Sequence, residues 1–405
     1  MKPIVRAGRM KPVHSDIRGP LFVEAMKRQK QGIDILKLNT GNPATFGFGL
    51  PDSIKNALME HMQDGVGYCD FKGMPQARQA ICDYETSKGI NGITSDDVFI
   101  GNGVSEVVSF ALTPLLNDGD EVLVPSPSYS LWGNSIYLEG GKPVFYTCDE
   151  KAKWYPDIKD IRSKITDKTK AIVIINPNNP TGVLYPKELL LEIIQIARES
   201  GLLIFADEIY DRLVMDGKQH ISLASLTEDV PVITLNGLSK SHCLCGYRCG
   251  WMVISGPKEL TEDYRQGIIQ LTSLRLCANT MAQIVIPAAL DDMETPASMV
   301  RPGGRIYEQR EATVRELEKI DGLSFVKNDA AFYVFPKLDV KKFNITNDKQ
   351  FAHDLLDVTN ILLVPGSGFD WKDPDHFRIV MLPQADILSD AIRRMGTFLD
   401  GYKQK

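Results

Sequence analysis

Between residues 121 and 254, short apolar and β-branched runs recur at 121–125, 143–148, 171–176, 202–206, 232–235 and 250–254, with helix-patterned stretches between them. Runs of that length suit strands better than buried helices. Strands that alternate with helices build a mostly parallel sheet, because a parallel pair needs a crossover long enough to hold a helix. One such helix is expected over 186–199, where Pro186 opens the stretch, Glu188 sits in the first turn and Gly201 lies just past the end. The fold class expected is therefore α/β, a large domain whose mostly parallel sheet is covered by helices on both faces.

The last hundred residues read differently. Short strands at 324–327, 331–336, 361–364 and 377–380 are interleaved with helices at 305–319 and 387–399, the pattern of a smaller α+β domain. The first forty or so residues are too few to stand alone and are expected to pack on that domain. The domain plan is an N-terminal segment at 1–45, a large domain at 46–295 and the rest of the small domain at 296–405. No repeat, low-complexity tract or Gly/Ser linker interrupts it.

Composition narrows the function classes. With 405 residues, 43% hydrophobic and 24% charged, the chain is long enough for two packed domains and too apolar for disorder. A net charge of −6 offers no broad basic surface to nucleic acid. No apolar run approaches the roughly 18 residues that span a bilayer. Residues 1–11 are basic but lack the apolar core and cleavage site of a secretory signal. A cytoplasmic location is the expectation, and the seven cysteines, odd in number and irregularly spaced, agree with it. Cys243, Cys245 and Cys249 cluster, with His242 beside them, but no second ligand pair exists elsewhere. Small thiols packing a turn are therefore favoured over structural zinc, and no metal site is expected.

The residues with chemistry gather at strand ends, where open α/β sheets bind ligands. Asn176-Pro177-Asn178-Asn179-Pro180-Thr181-Gly182 follows one apolar run, and by itself is strong turn punctuation. Asp207 ends the next run, in Ala206-Asp207-Glu208-Ile209-Tyr210. It either caps a following helix or meets a ligand cation, since a carboxylate leaving a buried strand needs a partner. Lys240 follows a third run in Asn236-Gly237-Leu238-Ser239-Lys240, with Arg248 eight residues on. It is either a solvated surface lysine or, if its amine is kept partly deprotonated, a nucleophile. Gly101-Asn102-Gly103-Val104-Ser105-Glu106 leads into a helix expected over 107–116, and such a start can hold an anion on its N–H groups.

Each motif alone is equivocal, but together they match a phosphorylated pyridine aldehyde. A lysine forms the imine, a carboxylate keeps the ring nitrogen protonated, and an arginine with backbone amides holds the phosphate. The ordered set Asn-Pro-x-Asn-Pro-Thr-Gly, Ala-Asp-Glu-x-Tyr and Ser-Lys with its downstream Arg resembles the fold-type I, class I/II aminotransferases over nearly the whole chain. Asp16-Ile17-Arg18-Gly19-Pro20, Leu38-Asn39-Thr40-Gly41-Asn42-Pro43, residues 174–182 and 236–240, and His376-Phe377-Arg378-Ile379-Val380 look most like the bacterial glutamate–pyruvate (alanine) group.

The resemblance implies a role for each position. Lys240 would carry pyridoxal 5'-phosphate as a Schiff base and then move the proton during transfer. Asp207 would pair with the pyridine nitrogen. Asn179 and Tyr210 would bond the ring oxygen, and Tyr129 would stack on the ring. Val104, Ser105 and Arg248 would hold the phosphate, with Tyr68 reaching it from the other subunit of a homodimer. Arg378 would clamp the substrate carboxylate near Asn179 and the backbone of Gly41. Arg18 is either the partner of a second, distal carboxylate or a structural residue. Many relatives carry a phosphate-binding serine three residues before the lysine, where this chain has Gly237, and Ser239 is a candidate to compensate. Relatives in the alanine group often carry an aromatic residue where this chain has Ser15, which bears on substrate choice.

The activity implied is ping-pong transfer of an amino group, with L-alanine plus 2-oxoglutarate giving pyruvate plus L-glutamate as the leading pair. Aspartate, branched-chain or aromatic amino acids, or β-lyase chemistry on the same fold, are the alternatives. A ligand-sensing role in a transcription regulator would need a DNA-binding domain ahead of residue 38, where there is no room.

Overall fold

The computed structural model describes residues 3–405. Its centre is an eight-stranded sheet formed by β1 (Val98–Gly101), β2 (Glu121–Ser126), β3 (Lys142–Asp149), β4 (Tyr155–Pro156), β5 (Thr169–Ile175), β6 (Leu203–Asp207), β7 (Val232–Gly237) and β8 (Gly250–Ser255). The spatial order is β1-β8-β7-β6-β5-β2-β3-β4. Strands β3, β2, β5, β6 and β7 run parallel, whereas β8 is antiparallel to both its neighbours and β4 is antiparallel to β3.

All six expected runs are strands of this sheet. The run at 250–254 enters it in the opposite direction, because the chain turns back directly through the loop after Lys240 instead of crossing over in a helix. Two strands lacked a sequence signal: β1, only four residues long, and β4, a two-residue edge.

The central strands are apolar throughout because both faces are covered. Leu123, Ile172, Ile174, Ile204 and Val232 pack on one face against Leu190, Ile193, Ile194 and Ala197 of helix Lys187–Ser200. The intervening Val122, Val124, Val173, Phe205 and Ile233 pack on the other, against Val108 and Leu112 of helix Val104–Leu112 and Trp132 and Ile136 of helix Leu131–Leu138. Helix Lys187–Ser200 ends at Gly201, whose φ of 63° is left-handed. The helix expected over 107–116 instead spans Val104–Leu112. Thr113 still has helical backbone angles, but Pro114 after it has no N–H to donate back into the helix and stops it early.

The second core holds Leu338, Phe343, Phe351, Leu355, Phe377, Ile379, Leu388 and Ile392, beneath helices Arg305–Leu317 and Ala385–Leu399. Its three-stranded sheet places Phe377–Val380 between Tyr333–Val334 and Val364–Pro365. The strand expected over 324–327 shrinks to Leu323–Ser324, paired with Lys337–Leu338. The N-terminal segment joins this core: Leu36–Lys37 pairs in parallel with Ile361–Leu362, and Ala25 packs with Leu356 and Leu362. No single described helix is long and apolar enough to cross a membrane.

Candidate active site

The carboxyl ends of β1, β2, β5, β6 and β7 lie along one edge of the sheet, and the motif residues follow from there. Asp207 is the last residue of β6 and only 5% exposed. The indole Nε1 of Trp132 donates to its Oδ2 at 3.1 Å, and the Ile209 N–H donates to Oδ1 at 3.4 Å. Among the described residues no cation pairs with it. Burial pushes its carboxyl up to about 6, against the opposing hydrogen bond from Trp132.

Its neighbours are treated differently. Lys88 Nζ lies 2.6 Å from Glu85, 2.9 Å from Glu208 and 3.2 Å from Asp211, so the other acids of this region share a cation. Of these four acids, only Asp207 is buried with neutral donors and no cation. It caps no helix, so that reading of the sequence falls away.

Lys240 stands on the four-residue helical turn Leu238–Ser241 that follows β7. Its Nζ donates to the Gly41 carbonyl at 2.9 Å and lies 4.0 Å from Cys245 Sγ. It is half-buried, which excludes the solvated-surface reading. Burial works against its ammonium, but Tyr333, Cys245 and Tyr129 outweigh that and hold the amine above the ordinary lysine range. The depressed amine considered from sequence is therefore not found in this arrangement.

Arg378, in the middle strand of the small sheet, is 1% exposed. Its Nη1 donates to Asn179 Oδ1 at 2.9 Å, its Nη2 donates to the Asn39 carbonyl, and its Nε is buried without a partner. The guanidinium lies 4.6 Å from the ring centres of both Tyr333 and Phe369. No carboxylate pairs with it among the described residues, so it is not a structural ion-pair partner. Burial lowers its pKa, yet an arginine remains charged. Tyr210 and Tyr333 share a hydrogen bond at 2.9 Å. Asn179 and Tyr210 are buried, and Tyr129 is half-buried on the loop after β2.

A cradle forms where β1 meets β8. Gly103 has φ of +84°, and a Cβ there would fall 2.3 Å from Arg248 Nη2; a Cβ on Gly250 would fall 2.4 Å from the Val104 nitrogen. Only glycine permits this approach of backbone and guanidinium. The helix beginning at Val104 carries no side-chain cap, and Ser105 is exposed in its first turn. Its end is thus open to an anion, with Arg248 beside it.

The structure also explains Gly237. A Cβ there would meet the Cys249 carbonyl at 2.6 Å and Gly250 Cα at 3.0 Å, so no serine fits without displacing β8. Ser239 is half-buried, and its carbonyl accepts the Cys245 thiol at 2.9 Å. Cys243 packs its sulfur 3.9 Å from that of Met299, and Cys249 is buried.

Two other positions stand apart. Tyr68 is 83% exposed. Arg18 is exposed with no ion pair or hydrogen bond among the described residues, but the Ile17 carbonyl before it accepts from Asn39 Nδ2 at 2.8 Å, the same Asn39 whose carbonyl Arg378 binds.

Trp132 and Tyr333 were missed from sequence. Both lie in apolar stretches where an aromatic residue signals only packing.

The motif residues supply a half-buried lysine, a buried carboxylate lacking a cation, a buried arginine lacking an anion, and a glycine cradle at a helix start. These residues fit a phosphorylated pyridine aldehyde and a carboxylate substrate. The chain belongs to the class I and II aminotransferases, whose family model matches residues 33–392. It is 50% identical over 404 residues to the glutamate-pyruvate aminotransferase of Haemophilus influenzae, covering 100% of each chain. Among solved structures, an aminotransferase from Escherichia coli superposes with a TM-score of 0.98 at 47% identity, with 100% of each chain covered. The alanine aminotransferase of Pyrococcus furiosus gives a TM-score of 0.93 at 40% identity over 98% of this chain and 100% of that one. The protein is an aminotransferase.

Proposed function

We propose that it moves an amino group between L-alanine and 2-oxoglutarate, giving pyruvate and L-glutamate, in two half-reactions on pyridoxal 5'-phosphate bound at Lys240. The observation that carries this reading is the pair of buried, uncompensated charges on Asp207 and Arg378. A buried charge without a counter-ion costs several kcal/mol and persists where a ligand completes it. The names borne by the full-length relatives support the alanine–glutamate pair.

The cofactor, when bound, supplies the electron sink for the carbanion formed at the substrate α-carbon. Asp207 holds a proton on its ring nitrogen, and the Trp132 indole fixes the carboxylate for that contact. Asn179 and Tyr210 bond the ring oxygen, and Tyr129 covers the ring face. Val104, Ser105 and Arg248 take the phosphate, with Ser239 as a lesser contact. Arg378 has Nε and its remaining N–H groups free for the α-carboxylate, beside Asn179 and Gly41. Lys240 Nζ, freed as a neutral amine once substrate takes its place, would carry the proton between the substrate α-carbon and the cofactor, in one direction in the first half-reaction and in the other in the second. Arg18, exposed and without an ion pair or hydrogen bond among the described residues, meets the distal carboxylate of glutamate or 2-oxoglutarate.

The working form we propose is a cytoplasmic homodimer in which Tyr68 reaches the partner's phosphate. Tyr68, Val66 and Leu274 are exposed by 83%, 76% and 81%, and the Thr280 hydroxyl donates to the Gly65 carbonyl at 2.6 Å, tying their segments together. A patch of that kind suits a subunit contact. We propose the same domain plan, with 46–295 as the large domain and the two flanking stretches as the small one.

The test is a titration of the purified protein, following the visible absorbance of bound cofactor as L-alanine, then L-aspartate, is added. Loss with alanine and little change with aspartate supports the pair. Preferential loss with aspartate overturns the substrate, and no visible band after addition of pyridoxal phosphate overturns the cofactor reading.

A further inference from the structure

The sequence Lys11–Gly19 has no long element of its own, yet it is tied down at two points across the site. At one end, the Asn134 side chain clamps the His14 backbone, accepting from its N–H at 3.1 Å and donating to its carbonyl at 2.6 Å. At the other end, Asn39 holds the Ile17 carbonyl and is itself bonded to Arg378.

The imidazole of His14 completes the first anchor. Its Nε2 is 3.1 Å from Asp370 Oδ1 and its Nδ1 is 3.5 Å from Asp16 Oδ2. Asp370 lies against the loop that carries Tyr129. Its carbonyl accepts from the Ser126 hydroxyl at 2.7 Å, and the preceding Phe369 carbonyl accepts from the Ser128 N–H at 2.9 Å, next to Tyr129. Asp16 is also 3.1 Å from Lys349 Nζ. Residues 14–17 are thus strung between the Tyr129 loop and the Arg378 clamp, and Arg18 follows directly.

We propose that His14 is a positioning residue for substrates with two carboxylates: by bridging Asp16 to Asp370 it fixes this strap so that Arg18 meets the distal carboxylate. The inference rests on the reading of Arg18 given above. A substrate with only one carboxylate, such as alanine or pyruvate, makes no demand on Arg18 and is indifferent to His14.

The groups facing His14 are Asp16 on its own segment and Asp370 in the turn after Phe369, with Lys349 on Asp16 and Tyr137 near Asp370 beyond them. The carboxylate of Asp16 beside Nδ1 and that of Asp370, which accepts from Nε2, raise the imidazole to about 9 against the effect of burial, so the bridge is charged at neutral pH.

The experiment measures kcat and KM for L-glutamate and L-alanine in the holoenzyme and in His14→Ala, Asp370→Asn and Arg18→Ala, with the cofactor absorbance band as the check on folding. Loss of a charge-assisted anchor predicts that His14→Ala and Asp370→Asn raise KM for glutamate about tenfold, with kcat retained and alanine KM within about twofold. The glutamate-to-alanine KM ratio of the wild type rises as pH passes about 9, and that of His14→Ala stays flat. Equal effects on both substrates, or no effect on glutamate, overturn the role of His14 when Arg18→Ala still weakens glutamate. An Arg18→Ala variant with unchanged glutamate KM overturns the reading of Arg18 itself, and the role of His14 with it.

Discussion

Replacing Asp207 with asparagine is expected to stabilise the cofactor-free protein while destroying its activity. The carboxyl is moved from 3.8 to about 6, chiefly by burial. At 1.36 kcal/mol per pH unit, ionised Asp207 costs the fold about 3 kcal/mol. The sign follows from the raised folded-state value: the native state holds the proton more tightly than the unfolded chain, so this group favours folding at low pH. That advantage is lost as pH rises from about 4 through about 6. Asparagine carries no charge to bury but keeps only one acceptor oxygen for the Trp132 and Ile209 donors, a loss of about 1 kcal/mol. The net gain is about 2 kcal/mol at slightly alkaline pH, vanishing or reversing in acid. Urea unfolding midpoints of cofactor-free wild type and Asp207→Asn, compared across that range at one protein concentration, measure it. With cofactor present the order reverses, because only the carboxylate holds the ring-nitrogen proton, and kcat falls at least about a hundredfold. A variant no more stable than wild type at alkaline pH would refute the claim that Asp207 is a buried, uncompensated charge.

Three other outcomes follow from the same geometry. Arg378→Lys cannot serve Asn179, the Asn39 carbonyl and a substrate carboxylate together, so KM for every amino acid and oxo acid should rise about a hundredfold with the cofactor band intact. Gly103→Ala places a methyl against Arg248 at a φ of +84°, and should weaken pyridoxal-phosphate binding about tenfold or more, read by equilibrium titration of the absorbance band. Gly237→Ser should lower the thermal midpoint rather than strengthen phosphate binding, because its Cβ has no room beneath Cys249.

Much of this protein was legible in its residues alone. Strand runs at 121–125, 171–176, 202–206 and 232–235 showed themselves because a strand buried on both faces must be apolar at every position, a local property. The strand-end placement of Asp207, Asn179 and Lys240 followed from those runs, and so did the α/β class. Other features had no local trace. Whether Asp207 or Glu208 would be the uncompensated acid depended on Lys88 reaching only the latter. Trp132 lies 75 residues from the carboxylate it orients, Asn39 lies 339 from the guanidinium it receives, and His14 lies 356 from Asp370. Periodicity and capping act over a few neighbours, so a sequence displays them directly. Burial, charge compensation and the room for a single Cβ depend on which distant segments the packed core brings together, and only the tertiary structure decides that.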